Sequence, residues 1–192
     1  MMADATVKVE NARFIVTMDP SRRIISDGSL VVQGQNIIRV GKTEDLAGVQ
    51  TDSVIDASDM VVTPGFVNGH MHISYAHATR GIFPDDLGSA YLPNVFKLQA
   101  IMTEEEEYHT SLLAITELLK YGTTTFVDPG STKYLDRCMD AYKQAGCRII
   151  VGAHVTDKTN QLNLPVSSTA DALQTIATTI EKFDRKLDGR IR

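Results

Sequence analysis

From residue 61 onward the chain alternates short β-branched runs with stretches of helical periodicity, and few folds accept that rhythm. Residues 123–127 (Thr-Thr-Thr-Phe-Val) and 147–154 read as strands, while 103–121, 131–146 and 168–183 read as helices. Strands joined by helical crossovers run parallel, so an α/β layer fold is expected. The first of these helices opens with Thr103 and Glu106, the spacing of a capping box. Its four glutamates, Glu104 to Glu107, read as a solvated first turn favoured by the helix dipole. Tyr108, Leu112, Ile115 and Leu119 should form its buried stripe. Ser131 is expected to cap the next helix, which runs through Leu135, Met139 and Tyr142 to Gly146. Ser168 should cap the last, with Leu173, Ile176, Ile180 and Phe183 as its apolar face.

Residues 1–62 have a different texture. Short β-branched or aromatic runs at 7–9, 14–18, 29–32 and 37–40 are separated by turn signals at Asp19-Pro20, Asp27-Gly28 and Gly34–Asn36. Such spacing predicts a small antiparallel, sandwich-like β domain. Two domains are therefore expected, 1–62 and 63–192.

A net charge of −5 with no basic stripe argues against nucleic-acid partners. No apolar run approaches the ~20 residues that span a bilayer. The first residues lack the charged and apolar regions of a secretory leader, so a cytoplasmic location is expected. Cys138 and Cys147, the two cysteines, read as small core residues.

The stretch between the two domains, Thr63 to Ser74, carries the chemistry. His70 and His72 are separated by one residue at the end of an apolar run, and side chains at i and i+2 of an extended strand share a face. Both imidazoles can then reach one metal ion, with Met71 packing on the other side. Pro64-Gly65 breaks the chain before the run, and Asn68-Gly69 lets polar groups crowd the ligands.

Residues 64–72 resemble the first barrel strand of the amidohydrolase superfamily, PG(F/L)(V/I)(N/D)xHxH. The segments Thr79-Arg-Gly81, Met102-Thr-Glu-Glu105 and Tyr121 to Asp128 resemble its chlorohydrolase and aminohydrolase branch, which includes triazine hydrolases and guanine and adenosylhomocysteine-type deaminases. The resemblance implies the start of a (β/α)₈ barrel after the small β domain. It also implies one divalent metal held by His70 and His72, with zinc first and iron, cobalt or manganese as alternatives. Metal-activated water then attacks a small-molecule substrate. Barrel enzymes place their working groups at the C-terminal ends of strands, where Asp128 and His154 also fall. Asn68, Asp128 and His154 are the candidate substrate-binding residues. His77 and Arg80 are expected to anchor the loop after the first strand.

A complete barrel takes about 250 residues, whereas about 130 follow residue 62. The chain is thus expected to be the N-terminal part of a longer protein. A further histidine and a late aspartate would lie beyond Arg192, and the catalytic acid and base would not be within the chain. Alone, it should bind zinc weakly and turn over little. Nucleoside-type deaminases carry a substrate-binding glutamate before the Thr-Glu-Glu helix, and residues 85–99 contain none, Asp85 and Asp86 falling too early. The expectation therefore leans toward a neutral urea, carbamate, thiocarbamate or triazine, with Tyr91, Leu92, Val95 and Phe96 as lining. The alternatives are deamination of a heterocyclic amine, or an inactive partial barrel that pairs with another chain. Homo-oligomerisation is left open.

Overall fold

A computed structural model describes residues 5–160, 162 and 164–192, with the backbone alone at Asp85. The N-terminal residues read as lacking a leader, and the Asp85 side chain, lie outside the described residues. The chain forms two units, divided between Pro64 and Gly65.

The first unit is one five-stranded sheet. It contains β1 (Thr6–Val16), β2 (Ile24–Gln33), β3 (Asn36–Lys42), β4 (Ser53–Asp56) and β5 (Val61–Val62), with a one-turn helix α1 (Thr43–Leu46) after β3. The order is β3-β2-β1-β4, with β5 also on β1. The expected antiparallel sandwich is corrected to a mixed single sheet. The hairpins β1–β2 and β2–β3 are antiparallel, but β4 and β5 lie parallel to β1. The chain returns through α1 to the far side of β1, and a return of that kind reverses the sense of pairing. Asp27-Gly28 is not a turn. It lies within β2, where Ile15 packs against the open face of Gly28. Ala12, Ile15, Leu30 and Ala57 form the core of this unit.

The second unit is the expected α/β layer. Strands β6 (Phe66–Asn68), β7 (Thr123–Asp128) and β8 (Arg148–Val151) are parallel and adjacent in sequence order. Between β6 and β7 come α2 (Tyr75–Thr79), a 3₁₀ turn at Asp85–Ala90, α3 (Tyr91–Ile101) and α4 (Glu104–Lys120). Helix α5 (Leu135–Ala145) crosses from β7 to β8, and α6 (Thr169–Phe183) follows β8. Residues 190–192 add a parallel bridge on the far side of β8 through Ile191. The core comprises Ile73, Ile115, Phe126, Tyr142, Ile149 and Ile191, with Met71, Leu112 and Leu118 packed against it. Cys138 and Cys147 are buried free thiols, and burial raises both pKa values. Among the described residues no helix is long and apolar enough to cross a membrane.

The α4 capping box is present: the Glu106 amide donates to Thr103 Oγ1 at 3.3 Å, and the Thr103 amide donates to Glu106 Oε2 at 2.8 Å. Thr103→Ala should lower stability by about 1 kcal/mol, read as a shift of the urea midpoint without a change of slope.

Of the stripe expected on α4, Tyr108, Leu112 and Ile115 lie in or against the core, but the most buried face is rotated from it. Glu107, Ser111, Ala114 and Ile115 face inward, and Leu119 turns toward solvent. Glu107 is fully buried rather than solvated, and its carboxylate accepts the backbone N–H groups of Lys133 and Tyr134. It thereby takes the part expected of Ser131 at the start of α5, whose N-cap position is Tyr134. A hydrophobicity pattern misses this face because two of its polar residues, Glu107 and Ser111, meet the next helix, Ser111 through Cys138 Sγ at 3.5 Å. On α6, Ser168 caps as expected, but only Ala172 and Phe183 are buried. Leu173 and Ile180 remain more than half exposed. Lys182 pairs with Asp136 of α5 at 2.6 Å, which ties α6 to its helical neighbour.

Candidate metal centre

Strand β6 ends at Asn68, two residues before the histidines, so the expected placement of His70 and His72 within an extended strand is corrected. The carboxamide of Asn68 accepts the His70 backbone N–H at 3.1 Å and turns the chain. The segment nevertheless stays beside β7, because the Met71 amide donates to the Val127 carbonyl at 2.8 Å. Met71 packs on the core side. The two rings converge edge to face, with Nε2 of His70 and Nε2 of His72 3.1 Å apart.

That separation suits a shared cation. Two nitrogens about 2.0–2.1 Å from one tetrahedral zinc ion lie roughly 3.3–3.4 Å apart. Neutral imidazole is the ligating form, and burial holds the His72 pKa below its ordinary value, with the negative charge of Asp128 opposing and His70 reinforcing the shift. Among the described residues no group of three or more His, Cys, Asp or Glu side chains gathers around a common point. The pair therefore fits as two ligands of a site that needs at least one more.

Asp128 is the last residue of β7 and 1% exposed. Its Oδ1 accepts from the Gly130 and Ser131 amides and, at 2.7 Å, from the Ser131 hydroxyl; Oδ2 accepts from the Thr132 hydroxyl at 2.7 Å. Both oxygens thus fold the loop that follows β7. That loop lies directly against the end of β8: a Cβ at Gly130 would collide with the Ala153 carbonyl, and one at Gly152 would stand 2.8 Å from the Gly130 amide. Glycine is required at both positions for this approach.

His154 lies three residues beyond β8 and is half-buried. Its Nδ1 is 2.8 Å from the Gly130 carbonyl. A carbonyl only accepts, so Nδ1 carries the hydrogen, and in the neutral ring Nε2 is then the acceptor. The buried Gln99 amide donates to the Ser131 carbonyl of the same loop. Gln99, Phe96, Lys133 and His154 line a cavity of about 260 Å³. Val95 and, in part, Tyr91 pack instead with Tyr75 and Met102, while Leu92 is exposed. His77 and Arg80 both reach Glu117 of α4, Arg80 at 2.8 Å, which ties down the loop after the histidine pair.

Three contributors were not singled out from the sequence. Glu107 was hidden among neighbouring glutamates and Gln99 among apolar residues. Tyr75, whose ring lies on His72 and whose pKa burial pushes up to about 12, had only its spacing of three residues as a signal.

A 5'-deoxyadenosine deaminase of Methanosarcina barkeri is 38% identical over 150 residues, covering 77% of this chain and 32% of that protein. A 5-methylthioadenosine/S-adenosylhomocysteine deaminase of Carboxydothermus hydrogenoformans is 28% identical over 192 residues, covering 100% of this chain and 42% of that protein. Among solved structures, a zinc complex of an atrazine chlorohydrolase from Arthrobacter aurescens shares the fold, with a TM-score of 0.76 at 20% identity over 97% of this chain and 45% of that one. The chain thus spans less than half the length of these relatives. The family match itself runs from residue 61 to residue 192, taking in the histidine pair and the three parallel strands of the second unit, and by it the chain belongs to the amidohydrolase family.

Proposed function

We propose that this chain forms part of a metal-dependent hydrolase that deaminates a heterocyclic amine, with adenosine derivatives as the substrate class. The observation that carries the hydrolase is the convergence of the His70 and His72 Nε2 atoms at 3.1 Å. The relatives named as deaminases of adenosine derivatives, one of them 38% identical, favour deamination over the neutral urea or carbamate expected from the missing glutamate. The parallel strands are read as the opening of a (β/α)₈ barrel, and zinc is the metal of choice.

When bound, the ion supplies Lewis acidity and lowers the pKa of coordinated water toward ~7. The side chains on this chain bind and orient. His70 and His72 hold the ion, and Asn68 fixes the backbone from which His70 projects. Asp128 shapes the loop whose Gly130 carbonyl sets the His154 tautomer. His154 Nε2 then offers an acceptor to a substrate hydroxyl or N–H, and Gln99 supplies the polar side chain in the segment that lacks a glutamate.

The zinc-loaded protein, expressed from its complete gene, should release ammonia from 5'-deoxyadenosine or methylthioadenosine. Its kcat/KM there should exceed that for aryl ureas and carbamates by at least about a hundredfold, or ~2.7 kcal/mol of transition-state discrimination. Hydrolysis of ureas or carbamates without ammonia release from any purine nucleoside would restore the neutral-substrate reading.

A further inference from the structure

A metal-ligating imidazole is ordinarily aimed by its far nitrogen, which donates to a carboxylate, carbonyl or water. His72 departs from that pattern. Its Nδ1 is buried and has no hydrogen-bond partner among the described residues. Apart from the contact of its Nε2 with His70, what holds the ring is an aromatic face. Tyr75, the first residue of α2, stacks on His72 with ring centroids 5.3 Å apart and planes inclined by 23°. Tyr75 is itself 5% exposed and backed by Phe96 of α3, 5.3 Å away. Val95 and Met102 complete the cluster. A phenol enclosed in this way cannot turn aside, so the face it presents to the imidazole is fixed.

We infer that Tyr75 is a positioning residue for the metal, its stacked ring setting the plane of His72 so that Nε2 meets its counterpart on His70. It fills the place that a hydrogen bond on the second nitrogen occupies in other histidine sites. Among the described residues His70, which is exposed, has no stacked ring and meets His72 only in a T-shaped contact, so the stack acts on one ligand of the pair. The inference rests on the metal reading of that pair. Tyr75 does not touch the reacting atoms, and its effect should reach catalysis only through metal affinity and ligand geometry.

Tyr75→Phe keeps the face and loses the hydroxyl; Tyr75→Leu keeps most of the volume and loses the face. On the protein expressed from its complete gene, zinc affinity by competition with a chromogenic chelator should be retained within about threefold in Tyr75→Phe. It should fall roughly ten- to a hundredfold in Tyr75→Leu, the range for losing an orienting partner. The cobalt(II) absorption spectrum should shift in the leucine variant alone. Independently of either variant, the His72 ring protons of the metal-free wild-type protein should resonate upfield of those of His70, as a stacked aromatic face requires. Equal zinc affinity and an unchanged cobalt spectrum in Tyr75→Leu overturn the inference while His70→Ala still abolishes uptake. Undiminished uptake in His70→Ala overturns the metal reading together with it. Absence of the upfield shift in the wild-type protein overturns the stack alone.

Discussion

Alanine at His70 or at His72 is expected to abolish stable zinc binding and to lower kcat/KM for ammonia release by at least about a thousandfold. Loss of an outer partner that orients a ligand costs about ten- to a hundredfold in metal affinity. Loss of a ligand itself removes a metal–nitrogen bond and the chelate that the 3.1 Å Nε2–Nε2 approach creates. A catalytic zinc site normally has only three protein ligands, so one fewer leaves little to retain the ion. The stability of the apoprotein should hardly change at His70, which is exposed, and the measurement thus separates metal loss from unfolding. Metal content after dialysis and initial rates on the preferred nucleoside decide the matter. One equivalent of zinc and an unchanged rate in either variant would remove the foundation of the proposed function.

The second large effect is expected at Asp128. Its buried carboxylate accepts four hydrogen bonds from three successive loop residues, and alanine would orphan those donors in a site closed to water. Hydrogen bonds to charged groups contribute ~1.5–3 kcal/mol each, and they are not additive within one network. Asp128→Ala should therefore lower stability by about 3–4 kcal/mol. Asp128→Asn, which keeps one carbonyl oxygen for the Ser131 and Gly130 donors, should cost roughly half as much. The denaturant midpoint reads this directly. Because the Gly130 carbonyl fixes His154, the alanine variant should also raise KM. A normal midpoint with a raised KM would instead make Asp128 a direct substrate contact, the part suggested by its position at the end of a strand.

Much of the second unit was legible in the sequence because its signals are local. The capping box at Thr103 and Glu106, the stop at Gly146 and the β-branched run 123–127 each act within a few residues of themselves. The His-x-His motif was legible for the same reason, and the family match runs through it. What failed was information held between elements. Glu107 resembles its solvated neighbours until α5 arrives to offer two amides. Ser131 resembles a helix cap until Asp128 takes its hydroxyl. The first sheet looked antiparallel because hairpins announce themselves in turns, whereas the parallel partners of β1 lie more than forty residues away.

The sequence by itself determined the alternation of strands and helices, the two imidazoles one residue apart, and the kind of chemistry they admit. Only the tertiary structure decided that the histidines lie in a turn beyond the strand, that Asp128 spends both oxygens on its own loop, and that Tyr75 lies on His72. The physical reason is that periodicity and capping are short-range preferences of the backbone. The direction of a buried polar or aromatic group, by contrast, is set by whichever donors and faces packing brings within a few ångströms of it.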